Sequence, residues 1–97
     1  MNDGELVTRE LVEKYLEITR DARKKATPLA KGEDELRNLD SMISMCDNYH
    51  SDATHFMEKG DLVRAFGAIN YAHAWLDAAV RIGLLDGHGD DVLFTLP

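Results

Sequence analysis

The stretch DLVRAFGAINYAHAWLDAAVRIGLL, from Asp61 to Leu85, constrains the chain most. It contains no proline, and its fixed charges are confined to Asp61, Arg64, Asp77 and Arg81. Gly60 suits the left-handed residue that closes a preceding helix. Asp61 then suits an N-cap, where its carboxylate accepts from free N–H groups and meets the positive end of the helix dipole. On a wheel of 3.6 residues per turn, Leu62, Ala65, Phe66, Ile69, Ala72, Leu76, Val80 and Leu84 share one broad face. That face predicts the core. Gly67, Ala68, Tyr71, Ala74, Trp75, Ala78 and Ile82 occupy the opposite side, where a surface helix usually carries Lys and Glu. A helix apolar nearly all round is buried nearly all round. Two other helices can cover one side, so a second copy of the chain is expected on the other, through Gly67, Tyr71, Ala74, Trp75 and Ala78.

A narrow polar row separates the two apolar faces: Asn70, His73, Asp77 and Arg81, at spacings of three, four and four. Those spacings place the row on one stripe, with Asp77 in reach of Arg81 one turn on and of His73 one turn back. The ordinary outcome is a structural network, because buried polar groups must be paired. The sharper alternative is a catalytic site built on His73, Asp77 and Arg81.

Several of these residues, with those just upstream, also carry a resemblance. Tyr49, Asp52–Ala53, Phe56, Gly60–Asp61, Ala65 and the run Tyr71 to Ala78 resemble the repeated pattern of an archaeal family catalogued as domain of unknown function 357. The match covers about the last half of the chain, with Ala74 where many members have Gly. The resemblance implies a small antiparallel helical bundle and brings no activity with it.

One domain is expected, since 97 residues suffice for a single modest core. Hydrophobic residues at 44% and charged residues at 30% fit an ordinary soluble globule. A net charge of −7 opposes nucleic acid and anionic membranes as partners. Cys46 is the sole cysteine, so no intrachain disulfide can form and a reducing compartment is the simplest setting. The opening MNDGEL lacks the layout of a signal peptide, and no stretch reaches the length of an apolar membrane span. A cytoplasmic protein is expected.

In the first helix, Leu11, Tyr15, Ile18, Ala22 and Ala26 recur at alternating spacings of four and three, with Val12, Leu16 and Thr19 widening the seam. Pro28 disfavours helix at Thr27. Glu33, Asp34 and Glu35 then suit a helix N-terminus. The second helix shows a seam of Leu36, Leu39, Ile43, Cys46, His50, Ala53 and Met57. The expected architecture is all-α, an antiparallel three-helix bundle with helices over about 4–27, 33–59 and 61–85 and a short extended tail over 86–97. The tight turn at Lys59–Asp61 makes the second and third helices antiparallel neighbours. Val92, Leu93, Phe94 and Leu96 either lie back over the bundle or clasp a partner chain.

Other chemistry is thinly represented. Cys46 and His50 stand one turn apart, a chelating spacing, but a tetrahedral site needs two further ligands, and His55, His73 and His88 are scattered. No metal is expected. Arg81 and His88, with six residues between them, resemble the Arg-x(4–6)-His pattern of HEPN-type helical ribonucleases, which are also small helical dimers. Here the histidine falls in a Gly-rich loop, and the acidity of the chain opposes RNA. No base stands at a readable spacing from Ser41, Ser44 or Ser51. No phosphate-binding Gly loop or dinucleotide fingerprint is present, so no cofactor is expected. GDLVRAFGAINYA is superficially similar to one helix of a tetratricopeptide unit, which favours protein binding. The leading expectation is a non-catalytic interaction or scaffold module that acts as a homodimer. The alternative is a small hydrolase or ribonuclease.

Overall fold

A computed structural model describes residues 6–95. Its elements run α1 (Arg9–Lys25), β1 (Thr27–Pro28), α2 (Gly32–Glu58), α3 (Leu62–Arg81) and β2 (Leu85–Asp86). The expected all-α bundle is the fold found. α1 starts at Arg9 rather than near residue 4, because Thr8 takes extended geometry and its hydroxyl accepts from the Leu11 N–H at 3.1 Å; residues 4 and 5 of the expected span lie outside the described residues. Asp61 caps α3 as expected, accepting from the Arg64 N–H at 3.1 Å.

α3 ends four residues before the predicted boundary. Gly83 takes φ +81°, so the chain reverses after Arg81. The Gly83 N–H then reaches the Val80 carbonyl at 3.1 Å, and the Leu84 N–H reaches Ala79 at 2.9 Å. These two bonds close a Schellman motif, and buried Leu84 and Ala79 supply its apolar contact. The released Leu85–Asp86 pairs antiparallel with Thr27–Pro28, in the register Thr27 to Asp86 and Pro28 to Leu85. The sequence reading placed this small sheet partly in a loop and partly in the helix. Its role is to tie the α1–α2 connection to the end of α3.

α2 and α3 pack along their lengths, while α1 rests mainly on α3. α1 and α2 run antiparallel: Arg9 donates to the Met57 carbonyl near one end, and Arg23 pairs with Asp47 toward the other. Within α3 the buried residues are Ala65, Ile69, Ala72, Leu76, Ala79 and Val80, on the face the wheel selects. In α1 the buried line is Val12, Leu16, Thr19 and Ala22 rather than one centred on Leu11, Tyr15 and Ile18. The face is turned because α1 meets chiefly one neighbour. Leu36, expected in the α2 seam, is 45% exposed. A helix of 27 residues rises about 40 Å, and its first turns project beyond α1 and α3. Among the described residues no helix is long and apolar enough to cross a membrane.

Candidate functional site

The polar row of α3 does not act as one network. It divides into two residues that hold other parts of the chain and two that do not. Asn70 is exposed, and its amide nitrogen donates to the Phe66 carbonyl of its own helix at 2.9 Å. Arg81 is exposed too. The expected ion pair with Asp77 is not formed, and among the described residues Arg81 has no acidic partner within salt-bridge distance.

His73 is the junction. Its Nε2 lies 2.8 Å from the Leu93 carbonyl oxygen, and its Nδ1 lies 3.0 Å from the Thr19 hydroxyl. A carbonyl can only accept, so Nε2 carries the proton and donates to it. In the neutral ring Nδ1 then accepts from Thr19, a buried residue on α1. The imidazole thereby joins α1, α3 and the C-terminal segment. Asp77 lies one turn on, with its carboxylate 3.8 Å from Nε2, longer than a hydrogen bond. Asp77 instead accepts from the Thr95 N–H at 2.9 Å.

The segment these residues hold lies back over the bundle as far as Thr95, one of the two fates expected for it. It winds through turns rather than running extended. Asp90 accepts from the N–H groups of Val92 and Leu93 through Oδ1, and its Oδ2 receives Lys25 Nζ at 2.8 Å. The Lys25 contact, helped by those backbone donors, holds the Asp90 carboxyl below the usual carboxylate range. Phe94 is buried, with its ring centroid 6.5 Å from that of His73. It packs against Gly87, where a Cβ would stand 3.0 Å from the Phe94 ring. Leu96 lies outside the described residues. A cleft of about 360 Å³ remains beside the junction, between Tyr15 of α1, Asn70 and Ala74 of α3, and Val92.

The other candidates stand apart from this junction. His88 sits in the turn after β2 with φ 56°, its Nε2 is 2.9 Å from the Thr27 hydroxyl, and its Nδ1 is 3.6 Å from Asp86. It braces the small sheet, and no bond to Arg81 is formed. Cys46 is buried, and burial, with Asp47 nearby, pushes its thiol up to about 11. Such a thiol is a poor nucleophile and a poor ligand near neutrality. Among the described residues no group of three or more His, Cys, Asp or Glu gathers at metal-binding distance.

On the outer side of α3, Tyr71 meets Tyr49 of α2 edge-on with centroids 4.5 Å apart, and meets Trp75 at 6.0 Å. Trp75 and Ala78 are half-buried within the chain. Val63, Gly67, Ala74 and Ile82 stay exposed, Ile82 by 63%, and Tyr71 keeps 45% of its surface in solvent. Sequence reasoning missed Thr19 as a partner of His73 and Leu93 as an acceptor. A polar residue inside the apolar seam of α1 was the available signal for Thr19. No side-chain pattern marks a backbone carbonyl.

A family model described as "Protein of unknown function (DUF357)" matches residues 14–85. No curated protein matches the chain, and no solved structure does. The chain belongs to the DUF357 family, which has no assigned function.

Proposed function

We propose that this DUF357 member is a non-catalytic protein-interaction module of the cytoplasm that acts as a homodimer, with the outer stripe of α3 as its contact surface. The observation that carries the reading is the composition of that stripe. Val63, Gly67, Asn70, Tyr71, Ala74, Ala78, Arg81 and Ile82 follow one another up the helix, and Arg81 is the single fixed charge among them. Nothing lies within 4 Å of where a Cβ on Gly67 would stand, so the backbone is open to close approach there. Two copies of a chain with net charge −7 repel each other, and a stripe almost free of charge is where that repulsion is weakest. One helix meeting its own copy across such a stripe is isologous and closes after two chains.

A catalytic role for the polar row has less support. Both ring nitrogens of His73 are engaged, by Thr19 of α1 and by Leu93 of the C-terminal segment, Asp77 Oδ1 accepts from Thr95, and Arg81 lies apart from them. Sedimentation equilibrium tests the dimer. The chain is expected to sediment at twice its own mass at micromolar concentration. Ala74→Glu, at an exposed position that tolerates helix, is expected to sediment as a monomer with an unchanged helical circular dichroism spectrum. A wild-type monomer across that range, or an Ala74→Glu dimer as tight as wild type, overturns the reading.

A further inference from the structure

α1 leans on α3, and this leaves a cleft of about 580 Å³ between α1 and α2, to whose lining the C-terminal segment contributes no residue. That volume falls in the range of small-molecule sites, roughly 300–1,000 Å³. The two cross-helix contacts set its register. Arg9 lies level with Met57 and Arg23 with Asp47, so Arg20 lies level with His50 and Ser51. Each lining group has a distinct status. Asp47 binds Arg23 through both carboxylate oxygens, at 3.1 and 3.4 Å, and these two charges cancel. The Thr54 hydroxyl donates to the His50 carbonyl. Glu58 is two helical turns farther along α2 than His50, about 12 Å by the helical rise. Among the described residues Arg20 has no carboxylate within salt-bridge distance. Arg20 is therefore, among those residues, a guanidinium with no direct ion-pair partner, in a cleft whose other unpaired charge is the Glu58 carboxylate toward its end.

His50 adds a second, independent observation. Its Nε2 is sealed from solvent and has no hydrogen-bond partner. An N–H buried there would be left unsatisfied, so the neutral ring carries its proton on Nδ1, the nitrogen that is not sealed in this way. The middle of the cleft is thus lined from both helices by residues that carry donors, Arg20, His50 and Ser51, with His55 one turn on.

We infer that the middle of the α1–α2 cleft binds a small molecule through its phosphate group, held by Arg20, His50 and Ser51. Donors arriving from two helices suit a tetrahedral group of two negative charges better than a planar carboxylate, and arginine matches phosphate oxygens with two parallel bonds. The rest of the cleft leaves room for the organic part of the ligand. The site is independent of the dimer surface, which lies on the outer stripe of α3.

The test is a titration of the full chain, isotope-labelled, with inorganic phosphate, followed by ¹H–¹⁵N spectra at constant ionic strength. Saturable shifts centred on Arg20, His50 and Ser51 are expected. Arg20→Gln should weaken binding about tenfold or more, as loss of a charge-assisted pair does. Arg20 is exposed, so this variant keeps its fold, and Ser51→Ala gives a second exposed position with a smaller loss. Arg37→Gln, at an exposed position outside the cleft, should bind as wild type does. Shifts that drift without saturating, an Arg20→Gln variant that binds as tightly as wild type, or malonate bound as tightly as phosphate would overturn the inference.

Discussion

His73 shows how little of a residue's role lies in its own neighbourhood. One turn away stands Asp77, the partner that spacing nominates, yet the hydrogen bonds of the ring go to Thr19, 54 positions earlier, and to Leu93, 20 positions later. A half-buried imidazole with both nitrogens engaged is a strut. Cys46 is the complementary case of a group kept inert by its surroundings. Burial raises its thiol to about 11, from an ordinary value of 9.0. The sign follows from proton uptake. Above about pH 9 the unfolded thiol ionises while the folded one stays protonated, so folding stability falls as pH rises toward 11. The loss is on the order of 2 kcal/mol across that interval. Urea unfolding from pH 7 to 11 should show it, and Cys46→Ala should lack that part of the decline. Parallel pH profiles for the two proteins would contradict the account.

At the scale of elements, periodicity made some features legible and left others hidden. The core face of α3 was readable because Ala65, Ile69, Ala72 and Leu76 repeat with the helix. The end of α3 was less so. Gly83 suits a helix end, but apolar Leu84 and Leu85 read equally well as another turn of helix until the small sheet gave them a different place. Leu36 fitted the α2 seam and is exposed, since periodicity fixes a face and says nothing of whether a neighbour extends far enough to cover it. The α1–α2 cleft depends on α1 leaning toward α3, which neither helix encodes alone. The C-terminal segment is the element most dependent on long-range contacts, so it should be the easiest to release. His73→Leu removes the donor to Leu93 and leaves the Thr19 hydroxyl without its acceptor. A cost of about 1–3 kcal/mol is expected. Amide exchange at Phe94 and Thr95 should accelerate far more than at Ile69 or Leu76 in the core. Equal protection of the segment in variant and wild type would show that Phe94, the Asp77–Thr95 bond and the Lys25–Asp90 pair hold it without His73.

The whole molecule is long and thin, 49 by 24 by 17 Å, so few residues are far from solvent and much apolar surface remains outside. Packing is satisfied unevenly: α3 is enclosed on its inner face by α1 and α2, is bridged by the C-terminal segment on one flank, and is open along its outer stripe. On this account the open stripe is where a second copy binds, and the polar row beside it serves the chain's own architecture. The most direct test is an isotope-filtered NOE experiment on a mixture of labelled and unlabelled chains. The account predicts cross-peaks between copies from the methyl groups of Ala74, Ile82 and Val63. An absence of intermolecular cross-peaks at millimolar concentration, with those methyls shifted as in free solvent, would contradict it.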